Sequence, residues 1–337
     1  MKTQGKILLS HGSGGRLTHQ LLKELIISNF ANPILNKLDD SAVFKHQRGR
    51  LAFTTDSFVV KPLFFPGGDI GKLAVCGTVN DLAVMGAKPL YLTAAFIVEE
   101  GLEIGLLEKI IQSMRKAAES AGVIIAGGDF KVVEKNACDK IFITTSGVGT
   151  IKENINISGG NAKIGDIIII NGLIGSHGAA VISAREDYKL KTSIKSDCSA
   201  LNELISEILK TSRNIHVMRD PTRGGAATTL NEIASQSSVE IEIYEDKLPV
   251  KEEVKGFCEI LGIDPLYMAN EGKVLIFLDA NDAEKVLKKM RQNPLGKNAR
   301  IIGKVIGNAG HSVLLRTKIG SSRILDMLSG EQLPRIC

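Results

Sequence analysis

Tryptophan is absent from the 337 residues, and aromatic side chains as a class reach only 4%. The basic residues behind the net charge of +5 are spread along the chain rather than gathered into a stripe. A nucleic-acid surface needs clustered charge, so nothing here supports that class of partner. Cysteine is scarce and poorly placed for structural use: positions 76, 138, 198, 258 and 337 are far apart and odd in number. No C-x-x-C or Cys/His pair has zinc spacing, and no disulfide framework is indicated. That usage fits a reducing compartment. Long apolar runs are missing as well. The start, MKTQGKILLSHG, holds a three-residue apolar run, too short for a signal-peptide core. No stretch approaches the length of a bilayer span. The expectation is a cytoplasmic protein without membrane or nucleic-acid partners. The common nucleotide fingerprints are missing too: there is no G-x-x-x-x-G-K-S/T, no kinase set and no convincing Rossmann glycine pattern.

What is present is the balance of a soluble globular chain, 44% hydrophobic and 23% charged. Its length predicts two domains. The expected layout is a glycine-rich loop and helix over 1–36, a first domain over 37–153, a second α+β domain over 160–318, and a tail over 319–337. Leu17, Leu21, Leu22, Leu25, Ile26 and Phe30 recur at helical spacing after the loop His11–Arg16. In the first half, strands are expected around 42–44, 51–55, 90–98, 123–126 and 141–149, with helices over 69–85 and 103–121. Asp69 and Gly86 are placed to cap the first of these helices. The helix is rich in small and apolar residues, so Asn80-Asp81 in its middle stands out, because a buried carboxylate is costly without a partner or a metal. In the second half strands and helices mix without strict alternation, which favours α+β layers over a doubly wound sheet.

Five carboxylates stand at strand ends, in glycine turns or inside that helix: Asp39, Asp40, Asp56, Asp81 and Asp129. Singly, each reads as a turn former, a cap or a solvated charge. Together they are the hard oxygen donors that suit Mg²⁺ shared with phosphate. HGSGGR and DPTRGG offer backbone N–H groups to an anion, or are simply tight turns. Lys131 lies two residues after Asp129, so on an extended segment it points to the same side; Glu271 precedes a buried strand. Taken alone, both are ordinary surface charges. The chain stops at Pro334-Arg335-Ile336-Cys337. A thiol on a free end is a nucleophile on an arm, and from Gly330 that arm spans roughly 25 Å when extended. Taken alone, the tail reads as an accident of where the chain stops.

The ordered set LDDSAVF, FTTDSFVV, GTVNDLAVMGAKP, AGGDFKVVE, GDIIIINGLIGSHG, RDPTRGG and ANEGKV resembles the aminoimidazole ribonucleotide synthetase superfamily over nearly the whole chain. Within it, HGSGGR at the front and PRIC at the end resemble the hydrogenase maturation family HypE. The resemblance implies an α+β fold of two α/β-layered domains of that superfamily's type, with flexible N- and C-terminal tails. The first domain is then the ATP-binding and dimerising one. It also implies ATP and Mg²⁺ as cofactors. Asp39, Asp40, Asp56, Asp81 and Asp129 would hold the metal, and Asn80, Gly12, Gly14 and Gly15 would join them around the nucleotide. The implied activity is ATP-dependent dehydration of a carboxamide on Cys337 to a thiocyanate, the source of cyanide for [NiFe]-hydrogenase iron. Glu271 is the implied base and Lys131 its helper. The implied partners are the carbamoyltransferase HypF, the HypC–HypD complex and a second copy of the chain. Two alternatives stay open, a small-molecule kinase or synthetase of the superfamily and a non-catalytic thiol carrier.

Overall fold

The structure, a computed structural model, describes residues 15–21, 39, 42–46, 49–185, 192–308, 310–330 and 336. Gly12, Gly14, Asp40, the helical positions after Leu21, and Cys337 lie outside the described residues. Two sheets organise the rest. The first has the order β1-β2-β7-β5-β6, built from β1 (Ala42–His46), β2 (Gly49–Phe58), β5 (Lys88–Glu99), β6 (Ile124–Val133) and β7 (Ile141–Ile151). A two-stranded pair, β3 (Phe64–Phe65) and β4 (Gly68–Asp69), follows β2. Helix α1 (Arg16–Leu21) precedes the sheet.

Helices α2 (Ile70–Val84) and α3 (Ile104–Ala121) complete this half. Asp69 starts α2 by accepting the N–H groups of Gly71 and Lys72 at 2.8 and 3.1 Å, which satisfies two of the donors a helix start leaves orphaned. Of the residues in α2, all but Lys72 and Asp81 are buried. An amphipathic stripe is missing because the helix is covered on nearly every side. It packs on the inner face of the sheet, where every second residue of β7 is buried. The outer face carries Phe53, Tyr91 and Ile97 in the open.

The second sheet has the order β14-β13-β10-β12-β8-β11-β9, with only β10 and β13 parallel. Its strands are β8 (Ile167–Ile170), β9 (Ile215–Arg219), β10 (Glu240–Tyr244), β11 (Leu275–Leu278), β12 (Arg300–Gly307), β13 (Val313–Arg316) and β14 (Ser322–Ile324). Its helices are α4 (Ser176–Ser183), α5 (Asn202–Thr211), α6 (Gly225–Ser237), α7 (Glu252–Leu261) and α8 (Ala280–Gln292). Leu230 and Ile233 of α6 cover one face, while Leu204 of α5 and Val286 of α8 cover the other. A strand buried on both faces has no reason to alternate, hence the continuous runs IIII and LIFL. The two halves share one core, in which Val75 of α2 joins Ala180 of α4, Phe257 of α7 and the penultimate residue Ile336.

Two expectations about elements need correction. Strand β6 does not end at Ala126 in a glycine turn; it continues through Gly127, Gly128 and Asp129 to Val133. Gly128 is there because a Cβ would sit 2.0 Å from the carbonyl oxygen of Ala94 on the neighbouring strand, a close approach rather than a turn. Strand β9 was absent from the pattern: its five residues, IHVMR, are interrupted by His and Arg, and pairing with β11 makes it a strand.

Candidate functional site

Three glycine-bearing motifs from distant parts of the second half converge on Asn270. Its side-chain oxygen accepts the Gly175 N–H at 2.8 Å, and its amide donates to the Pro221 carbonyl at 2.9 Å. GLIGSHG, RDPTRGG and ANEGKV are thereby tied together, which brings Asp220 and Glu271 into one place. The tight packing depends on glycine: Gly225 has φ +63° and a Cβ there would lie 2.4 Å from the Leu266 carbonyl. The glycines of RDPTRGG therefore already have a structural use at the start of α6.

From the first half, Asp56 projects from the inner face of β2, and Asp81 from α2 accepts a hydrogen bond from Thr54 at 2.9 Å. These two carboxylates, Asp220, Glu271 and the guanidinium of Arg223 line one small cavity of about 50 Å³. Glu271 is 3% exposed and Asp220 8%. Burial, then Asp220, Asp197, Asp56 and Cys76, push the Glu271 carboxyl well above its ordinary range. Burial also raises Asp56, against the Ser57 N–H and Arg223, and lifts Asp220 from 3.8 to about 6. Burial and mutual repulsion thus raise the proton affinity of Asp56, Asp220 and Glu271 together, with Arg223 opposing the shift at Asp56.

The sign of the pH effect follows. A carboxyl whose folded-state pKa is raised contributes stability at low pH, and that contribution is lost as pH rises through the folded value. For Asp220 the window runs from about pH 4 to above 6. Asp220→Asn is expected to raise the melting temperature at pH 7.5 by about 2–8 °C, from an upper bound of about 3 kcal/mol. At pH 4 the gain should vanish. A gain that does not grow with pH contradicts the assignment; thermal melts at both pH values measure it.

Behind Glu271 lies a second buried group of polar residues. The Asp197 carboxylate accepts the Glu271 backbone N–H at 3.2 Å and pairs with Lys273 at 2.9 Å. Burial opposes ionisation of Asp197, but Lys273, with the Glu271 amide, holds it below the ordinary value. Asn80, the odd residue of α2, is 1% exposed. Its amide donates to the Ser199 carbonyl at 3.1 Å, and its oxygen accepts the Leu201 N–H at 2.8 Å. It ties the first half to the segment that carries Asp197. On that segment Ser196 contacts His177, whose other ring nitrogen lies 3.0 Å from the carbonyl oxygen of Ile336. The penultimate residue is thus docked inside, 5% exposed.

The remaining expected site residues are distributed differently. Asp39 accepts the Ser158 hydroxyl and the Gly159 N–H, both at 3.0 Å, at a short helical turn between the halves. Asp129 and Lys131 form an exposed ion pair of 2.6 Å on β6. In register, Asp129 lies opposite Ala95, which lies opposite Thr144, which lies opposite Ser57. That is roughly 14 Å across three strand spacings, on the face opposite Asp56. A single chain therefore separates them from the acidic cavity. Gly15 is buried against the Leu328 carbonyl, which accepts the Arg16 N–H at 2.6 Å. Among the described residues no three His, Cys, Asp or Glu side chains are grouped to hold a metal by themselves, and no helix is long and apolar enough to cross a membrane. His177, Ser196, Asp197 and Asp220 escaped the reading of the sequence. GSHG and RDP were visible as motifs, but nothing local marks their side chains as neighbours.

Comparison with known proteins identifies the family of the chain. The AIR synthase related protein N-terminal domain family matches residues 38–151, and its C-terminal domain family matches 163–316. A carbamoyl dehydratase HypE from Cupriavidus necator is 51% identical over 334 residues, covering 99% of this chain and 95% of the relative. A chain in a crystal structure of a HypE–HypF complex superposes with a TM-score of 0.87 at 52% identity, covering 91% of this chain and 99% of that one. A HypE solved in complex with ATP gives 0.83 at 47%, covering 98% and 100%. The chain belongs to the HypE family of AIR synthase related proteins.

Proposed function

We propose that this protein is an ATP-dependent carbamoyl dehydratase that converts a carboxamide carried on the thiol of Cys337 into a thiocyanate, for delivery as cyanide to [NiFe]-hydrogenase iron. The observation that carries the reading is the buried Ile336 carbonyl at His177, one residue before the terminal cysteine. Through Ser196 and Asp197, that docking point adjoins the backbone of Glu271. A chain end reaches the interior beside an acidic cavity, as a substrate on an arm requires.

The chemistry matches the residues. In the proposed reaction the carboxamide oxygen takes the γ-phosphoryl group of ATP, ADP leaves, and one N–H proton is lost. The carbon–oxygen bond then breaks, phosphate departs with the former amide oxygen, and loss of the second proton completes the nitrile. Glu271 is the proposed base: a carboxyl with raised proton affinity is a strong base once ionised. The carboxylates suit Mg²⁺ that arrives with phosphate oxygens, since they are hard donors and, among the described residues, do not form a complete site alone. Asp56 and Asp81 would hold it at the cavity, with Asp39 and Asp40 nearby in sequence, and it would offset the phosphate charge. Asp129 and Lys131 would join this site only through a second copy of the chain. The exposed sheet face with Phe53, Tyr91 and Ile97 supports such a homodimer. HypF is the proposed carbamoyl donor, supported by the complex of a 52% identical relative, and HypC–HypD the proposed acceptor.

Intact-protein mass spectrometry tests the reading. After incubation with the carbamoyltransferase, carbamoyl phosphate and Mg-ATP, a carboxamide adduct on Cys337 is expected that then loses one water. An adduct on another cysteine, or none, rejects it.

A further inference from the structure

We propose that His177 and Ser196 form a latch that holds the chain end docked through the Ile336 carbonyl and so positions the terminal thiol; this rests on the reading of Cys337 as the carrier. The His177 Nε2 atom is 3.0 Å from the Ile336 oxygen. A carbonyl only accepts, so Nε2 carries the hydrogen, and Nδ1 is left to accept from the Ser196 hydroxyl at 2.8 Å. The Ser196 oxygen in turn accepts the Cys198 N–H at 3.1 Å. The tail carbonyl thus fixes the tautomer, and Ser196 complements it by donating to Nδ1.

The ring has little freedom to do anything else. His177 is fully buried, in the first turn of α4. Burial lowers its pKa and keeps it neutral, with Asp197 and the Ile336 carbonyl pulling the other way. Phe65 meets the ring edge-on, with centroids 5.4 Å apart at 88°. The Ser196 N–H is bonded to the Pro66 carbonyl at 2.7 Å, so the loop bearing the hydroxyl is held to the β3–β4 turn.

A buried histidine needs partners for both nitrogens, and a carbonyl of its own domain would serve. Ordering a chain end instead costs conformational entropy. The benefit is positional: consecutive Cα atoms are about 3.8 Å apart, so fixing Ile336 confines Cys337 to a short radius. The grip is a single neutral hydrogen bond. Its loss is expected to shift the docked-to-undocked ratio by about five- to tenfold. That strength favours docking for dehydration and still permits release to a partner.

The test uses the full-length chain, with His177→Phe, His177→Gln and Ser196→Ala. First, without nucleotide, the alkylation rate of Cys337 by iodoacetamide is read by peptide mass, which separates it from the buried Cys76, Cys198 and Cys258 and from Cys138. Expected are a rise of about five- to tenfold in His177→Phe, a smaller rise in Ser196→Ala, and a return toward the parental rate in His177→Gln, which keeps a donor. Second, carbamoyl loading by the carbamoyltransferase should be equal or faster in His177→Phe, while dehydration of preloaded protein slows by a similar factor. A general packing defect would slow both. An unchanged alkylation rate in a folded His177→Phe protein overturns the latch; should that variant not fold, an unchanged rate in Ser196→Ala does so. Alkylation does not require Cys337 to be the carrier. Faster alkylation with no adduct on Cys337 keeps the latch and rejects the carrier reading, and the converse pattern does the opposite.

Discussion

Cys337→Ala is expected to abolish product completely while leaving the nucleotide site intact. The proposed substrate is covalently part of the chain, so no other group takes its place once the thiol is gone. The four cysteines among the described residues do not compensate: three are buried and none is at the chain end. Mg-ATP should still stabilise the variant, because the carboxylates of the cavity are unchanged and binding to the native state raises stability by mass action. The two measurements to pair are adduct formation by mass spectrometry and the melting-temperature shift with Mg-ATP. A small-molecule kinase predicts unchanged turnover in this variant. A passive carrier predicts lost loading with ATP hydrolysis kept. Any thiocyanate formed by Cys337→Ala removes the carrier reading.

Glu271→Gln is expected to stop the reaction at the carboxamide, with dehydration slowed by about 10²- to 10⁴-fold, the range for loss of a positioned base. Glutamine is the conservative choice because burial and the nearby acids favour the protonated carboxyl, whose shape the amide reproduces. Stability should therefore hold or rise, in contrast with a charge-reversing change. The parental rate should rise with pH through the raised pKa of Glu271, an acid-side limb that the variant lacks. Loading by the carbamoyltransferase should proceed at the parental rate, because it requires only the thiol. Accumulated carboxamide with little thiocyanate supports Glu271 as the base. Thiocyanate formed at the parental rate excludes it.

Much of this was legible in the sequence because it is local. The capping of α2 by Asp69, its nearly uniform burial and the oddity of Asn80-Asp81 follow from residue types within one helix. So does the α+β layering, since helical and strand periodicities are short-range properties. The motif set carried the family, and the family carried Glu271. The individual aspartates could not be sorted this way. Asp56 and Asp129 read alike as acids in strand context, yet register and alternation put them on opposite faces of one sheet. Which face is covered depends on a helix elsewhere in the chain.

The absences, most of the elements, the motif order and the position of the Cys337 thiol were determined by the sequence alone. The meeting of Asp56, Asp81, Asp220 and Glu271, and the docking of Ile336 on His177 across 159 positions, were decided only by the tertiary structure. Proton affinity and hydrogen-bond partnership depend on burial and on neighbours far away in sequence, and a string of residue types holds neither. The chain end looked arbitrary because its partner is a histidine in a distant helix.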